Sequence, residues 1–185
     1  MKLLVPAIPE LDSYADALRR GDFFPDNIRR EVSAREELAK IAADPAAFVA
    51  SLDDREAKAG PVTLPDGSTV KRLPGYRRWM WDDGFCGSIG FRWQPGTSAL
   101  PPYVLGHIGY AVVPAKRGRG YATKALAMLL PEARKEGLDY VELTTDADNI
   151  PSQKVITSNG GTLVERFDKG DAYGGGETLR WRIVL

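Results

Sequence analysis

KRGRGYATKAL, Lys116 to Leu126, sets three cations around two glycines and then runs straight into an alanine-rich helical pattern. The stretch before it, Gly109-Tyr-Ala-Val-Val-Pro114, reads as a strand that ends at a proline. A helix leaves its first N–H groups without intrahelical partners, and its dipole makes that end positive. A strand feeding a glycine-rich turn therefore aims those N–H groups at one point. Gly118 and Gly120 carry no side chain, so an anion can approach the backbone closely. Arg117 and Arg119, with Lys116 and Lys124 beyond them, add charge from the rim. The stretch predicts a turn built for a diphosphate or a similar anion. The plainer reading is a left-handed turn with a solvated arginine rim.

The rest of the chain narrows the ligand. It has 185 residues, 25 Lys plus Arg and 25 Asp plus Glu, so a global basic surface for nucleic acid is not indicated. The distribution says more. From Gly84 to Pro131, a run of 48 residues, there is no Asp or Glu, yet Arg92, Lys116, Arg117, Arg119 and Lys124 lie within it. Such a segment suits an anionic ligand, although buried strands also lack charge. Cys86 is the one cysteine, which rules out an intramolecular disulfide and fits a reducing compartment. Its setting is that of a small buried hydrophobe. With His107 the one histidine, no metal centre is expected. The N-terminal apolar run is broken by Pro6 and Pro9, and no stretch approaches membrane-spanning length. The expectation is a cytoplasmic protein with no membrane contact.

Along the chain, KLLVPAI reads as a first strand and PELDSYADALRRG as a helix stopped at Gly21. Asp26 to Ala59 is helical with a break at Pro45, and VTLPDGSTVKRL is a hairpin turning at Pro65-Asp66-Gly67. YRRWMWDDGFCGSIGFRW gives two aromatic strands turned at Asp82-Asp83-Gly84. VLGHIGYAVVP is a fourth strand. Gly118 to Leu138 is a helix in which Pro131 marks a kink or an early break. DYVELTTD is a strand, NIPSQKVITSNGG a short helix, and TLVERF and GETLRWRIVL a final strand pair joined by KGDAYGGG. Strand–helix–strand crossings in the second half imply parallel pairs in a sheet covered on both faces. Residues 1–185 read as one domain.

Two nucleotide signatures fail. Thr123 stands where a dinucleotide fingerprint needs its third glycine, and no Gly-Lys-Ser/Thr ending is present. RGRGYA, Arg117 to Ala122, instead resembles the R-x-x-G-x-A/G pattern of the GNAT superfamily of acyl-CoA-dependent N-acyltransferases. Asn149, Ser152 and Gly160-Gly161 resemble that family's later N-x-x-S…G-G/F element. The resemblance covers about Gly106 to Val164.

It implies a mixed α/β fold whose central sheet has six to seven strands, mostly antiparallel, with helices on both faces. Its fourth and fifth strands, a parallel pair, splay apart. It further implies acetyl-CoA as co-substrate, with pantetheine in the gap against Val112 and Val113. The diphosphate would sit on N–H groups from Gly118 through Arg119, Gly120, Tyr121 and Ala122 to Thr123, and Asn149 and Ser152 would face the thiol end. Many relatives place a tyrosine four residues after the serine, as the acid for the departing thiolate. Here that position is Ile156, so Ser152 or a water takes the role, or the thiolate leaves unaided.

The implied reaction is N-acetylation of a small-molecule or peptide amine, and a homodimer is allowed for. The amine must first lose a proton. His107 titrates nearest neutrality and is the candidate base. Alternation places it on one strand face with Gly109, Ala111 and Val113, and puts Tyr110 on the other face, in the core. The competing reading is a buried histidine that satisfies a backbone carbonyl. Glu142 is a second candidate base, and an N–H near Val113 a candidate oxyanion donor. Trp79, Trp81 and Trp93 either flank the acceptor or fill the core. Asp168, Asp171 and Glu177 either attract an amine or decorate a hairpin tip. Two other functions stay open: a CoA-binding sensor or partner subunit without turnover, and a nucleotide-dependent oxidoreductase.

Overall fold

The aromatic segment around Trp79 organises one half of the molecule. In the computed structural model, which describes residues 1–64 and 67–185, the elements in chain order are β1 (Lys2–Leu4), α1 (Ile8–Arg19), α2 (Arg30–Ala43), α3 (Pro45–Ser51), β2 (Asp53–Asp54), β3 (Val62–Thr63), β4 (Thr69–Val70), β5 (Gly75–Trp81), β6 (Phe85–Arg92), β7 (Ile108–Val112), α4 (Tyr121–Lys135), β8 (Tyr140–Asp146), α5 (Ile150–Thr157), β9 (Thr162–Asp168) and β10 (Glu177–Val184). β1, β5, β6 and β7 form one antiparallel sheet with β2 added to β5. β8, β10 and β9 form a second antiparallel sheet, and β3 and β4 pair as a hairpin. Pro65 and Asp66 of the expected hairpin turn lie outside the described residues.

Helices cover both faces. One core packs α4 and α5 against the strands through Met80, Ile89, Leu126, Leu129, Leu143 and Ile156, all within 1% of full burial. The other packs α1, α2 and α3 over Tyr14, Trp79, Phe85 and Val113, with the Tyr14 and Trp79 rings stacked at 4.9 Å. Trp79 and Trp93 are therefore buried core residues, and Trp81 packs against the second core.

Three expectations are corrected. The helical reading to Ala59 overruns: α3 stops at Ser51, and Asp53-Asp54 pairs with Tyr76 and Gly75 instead. The fourth strand is shorter than VLGHIGYAVVP, at Ile108–Val112. Pro131 does not end α4, which runs on to Lys135. A proline removes one helical N–H, but Leu126, Leu129 and Ala133 are fully buried on the same helix face, and their packing carries the turn through.

No ladder joins β7 to β8 among the described residues, although the two run side by side. They are fastened at one end. His107 N–H donates to the Glu142 carbonyl at 2.7 Å, and Glu142 N–H donates to His107 Nδ1 at 2.9 Å. Gly106 makes the close approach possible, because a Cβ there would stand 3.1 Å from the Glu142 oxygen. Beyond this clasp the two sheets part.

Candidate functional site

The gap has a chemically open edge. At both ends of the β6–β7 pairing the bonds come from odd-numbered β7-side residues: Arg92 N–H to the His107 carbonyl, and Val113 N–H to the Cys86 carbonyl, each at 2.9 Å. In an antiparallel pair every second residue bonds the partner strand. Gly109 and Ala111 thus face β6, and Ile108, Tyr110 and Val112 turn their N–H and C=O groups toward the gap. Arg117 Nε donates to the Val112 carbonyl at 3.0 Å, consistent with that direction. Val113, paired with Val112 in the sequence reading, has its N–H engaged by β6.

The turn at the mouth of the gap holds a run of unpaired amides. The first bond of α4 is Lys124 N–H to the Gly120 carbonyl, and no N–H from Gly118 to Thr123 donates to backbone among the described residues. Gly118 and Gly120 sit at φ of 73° and 72°, the left-handed region that glycine adopts without strain. Nothing lies within 4 Å of where a Cβ would be at either, so the backbone is bare on that side. Arg117, Arg119 and Lys124 are exposed around it. Lys116 is drawn away, its Nζ donating to the Asp82 carbonyl at 3.1 Å. Tyr121 contributes backbone only, because its ring is buried and its hydroxyl donates to Asp82. That bond holds the Asp82 carboxyl below its usual range. Ala122 and Thr123 complete the first turn of the helix.

Asn149 and Ser152 come together at the start of α5, where the Asn149 side chain accepts from Ser152 N–H at 3.2 Å and caps the helix. Ser152 Oγ lies 2.7 Å from the Tyr110 hydroxyl. Sequence alternation put Tyr110 in the core; its ring does pack there, but its polar tip reaches α5. No sequence signal links residues 42 apart, so this contact was not readable beforehand. Burial pushes the Tyr110 phenol up to about 12. Ile156 is fully buried and packs against Gly161, where an added Cβ would stand 2.3 Å from Ile156 Cγ2.

His107 is fully buried, and its Nδ1 accepts the Glu142 N–H. It satisfies a backbone donor, where the sequence reading offered a backbone carbonyl. Burial lowers its pKa to about 4, against the smaller opposing pull of Glu142. Nε2 must carry the proton of this neutral ring, and the Ser98 backbone adds a small opposing pull on its pKa. Glu142 is held by Arg182 at 2.7 Å and faces Arg180 at 3.5 Å. Burial raises the Cys86 thiol, which stays inside the core. Asp168 caps Gly170 N–H, and Glu177 pairs with Arg166 at 3.4 Å.

A cavity of about 280 Å³ opens beside the gap, between the loop after α1 and the end of β7. Phe23, Phe24, Asn27 and Arg30 line one side, and Ala111, Val112 and Arg117 the other. Among the described residues, no helix is long and apolar enough to cross a membrane.

Comparison with known proteins agrees with this geometry. The family model described as an acetyltransferase (GNAT) domain matches residues 29–162. Among solved structures, the chain is similar to the microcin C7 self-immunity acetyltransferase MccE in complex with acetyl-CoA and AMP, at 14% identity and a TM-score of 0.60, over 99% of this chain and 91% of that one. It is likewise similar to RimL, the ribosomal L7/L12 alpha-N-protein acetyltransferase in complex with coenzyme A, at 12% identity and a TM-score of 0.63, over 99% and 93%. These likenesses show the fold. No curated protein matches the chain.

Proposed function

The chain belongs to the GNAT acetyltransferase family, and from that premise we propose that it transfers an acetyl group from acetyl-CoA to a primary amine of a small molecule or peptide, by direct attack of the amine on the thioester. The observation that carries this reading is the continuity between the bare amides of Gly118 to Thr123 and the free edge of β7. A diphosphate needs clustered donors and positive charge, and the turn supplies both with Arg117 and Arg119 exposed at its rim. An extended amide-bearing arm needs an unpaired strand edge, and Tyr110 and the Val112 N–H supply one, the Val112 carbonyl being taken by Arg117 Nε.

Acetyl-CoA, when bound, supplies the acyl group as a thioester. The chain's residues do the rest by position. Val112 N–H, free of β6, is the donor available to a carbonyl oxygen that gains charge. Val113 is not, since Cys86 already takes its N–H. Ser152, held by Asn149, is the proton donor to the departing sulfur. Its exposure is intermediate, whereas Ile156 is sealed in the core.

His107 takes a structural part in this proposal. A ring without exposed surface, its Nδ1 occupied and its pKa near 4, fastens the closed end of the gap and takes no proton from the amine. With Glu142 held by two arginines, the acceptor enters as free base through the cavity beside Val112. The cavity's size suits a small amine or a chain terminus better than a folded surface. A single buried cysteine suits a cytoplasmic setting.

Incubation with acetyl-CoA and an amine panel, read as thiol release and as acetylated product, tests the proposal. Acetyl-CoA binding without turnover on any amine would favour a CoA sensor or partner subunit. Stabilisation by dinucleotides but not by acetyl-CoA would overturn the reading.

A further inference from the structure

Ile156 stands where the family resemblance leads one to expect a phenol in many relatives, and a serine hydroxyl alone is a far weaker acid than a phenol. The structure nonetheless brings a phenol to the serine. Tyr110 projects from β7, the strand whose free edge lines the gap, and its hydroxyl lies 2.7 Å from Ser152 Oγ and 3.2 Å from the Ser152 carbonyl. Among the described residues, both polar contacts of that hydroxyl fall on one residue of α5. A phenylalanine would fill the core equally well, so the oxygen needs its own account. Ser152 is fixed from the other side by Asn149, which accepts its N–H.

Resting on the assignment of Ser152 as proton donor, we propose that Tyr110 is the positioning residue that makes this serine competent: its O–H, within reach of both the Ser152 carbonyl and Oγ, donates to Oγ at the shorter contact and turns the serine's own O–H toward the gap. As the C–S bond breaks, its electron pair stays on sulfur, and sulfur takes the Ser152 proton. The Tyr110 proton follows onto Ser152 Oγ. Tyr110 recovers a proton from the one the attacking amine released, so the cycle closes without an outside reagent. Burial keeps the phenol protonated at every working pH, so the relay starts loaded.

The test uses the full chain, acetyl-CoA, and hydroxylamine as a generic nucleophile that is already unprotonated at neutral pH, with thiol release as the rate and calorimetry for acetyl-CoA affinity. Tyr110→Phe is expected to lower kcat about tenfold or more, with KM and Kd for acetyl-CoA within about twofold of wild type. Ser152→Ala should lose at least as much, and Y110F/S152A should be no slower than S152A alone. A merely structural tyrosine would shift affinity or add its loss to that of S152A. Unchanged kcat in Y110F with a large loss in S152A overturns the tyrosine and leaves the serine standing. Multiplicative losses in the double variant overturn it too. Unchanged kcat in S152A removes the serine assignment and the relay with it. Should Y110F melt far below wild type, 3,5-difluorotyrosine at position 110 keeps the ring and strengthens the donor; unchanged kcat there overturns the proposal.

Discussion

Between pH 6.5 and 4, acid should loosen this protein through its one histidine. His107 is the only histidine, so its titration can be followed alone. Burial lowers its pKa to about 4 in the folded chain, against about 6.5 when unfolded. Between those values the unfolded chain binds a proton that the folded chain does not, so stability falls as pH drops. The contribution is fully present above pH 6.5 and is lost progressively toward pH 4. At pH 5 the two pKa values give a loss of about 2 kcal/mol relative to neutral pH. The physical cause is visible at the clasp: a charged ring would turn a donor toward the Glu142 N–H that Nδ1 now accepts. Urea unfolding of wild type and His107→Gln at pH 7.5, 6 and 5 measures it. The stability difference between them should shrink by about 2 kcal/mol across that range, with carboxylate effects common to both. The imidazole proton resonance should stay at its neutral position down to about pH 5. A midpoint near 6.5, or a difference that does not change with pH, would refute the account of the clasp.

Four further outcomes follow from the same geometry. Gly120→Ala meets no clash but forces a side chain into φ of 72°, so it should cost about 1 kcal/mol in urea unfolding and weaken CoA binding by calorimetry. Arg119→Ala should weaken acetyl-CoA about fivefold and flatten the salt dependence of binding, leaving the melting temperature unchanged. Gly161→Ala drives a Cβ to 2.3 Å from Ile156 Cγ2 and should destabilise by about 2 kcal/mol in a thermal or urea melt. If the acceptor enters as free base, log kcat/KM should climb with unit slope through neutral pH, levelling near the acceptor's own pKa, about 8 for an α-amine and about 10 for an alkylamine.

The turn at Gly118 was legible because its signal is local: glycines, cations and a helix start lie within a few residues. The short helix that carries Ser152, with Asn149 before it, was legible for the same reason. What lay hidden depends on long-range pairing. The choice of Val112 over Val113 as the gap-facing residue follows from the β6–β7 register, which alternation within one strand does not specify. His107 reads as a base from its chemistry, and only the approach of β8 shows its Nδ1 already used. Tyr110 reads as core until α5 is folded against it. Pro131 looks like a helix end locally, and the buried face of α4 overrides it. Lys116 belongs to the cationic cluster in sequence, yet the β5–β6 turn captures it.

A crystal structure of the chain with CoA bears most directly on the central claim. The diphosphate should lie on the N–H groups of Gly118 to Thr123, the pantetheine along Tyr110 and Val112, and the sulfur beside Ser152. A diphosphate bound elsewhere, or β7 and β8 joined by a continuous ladder past His107, would contradict it.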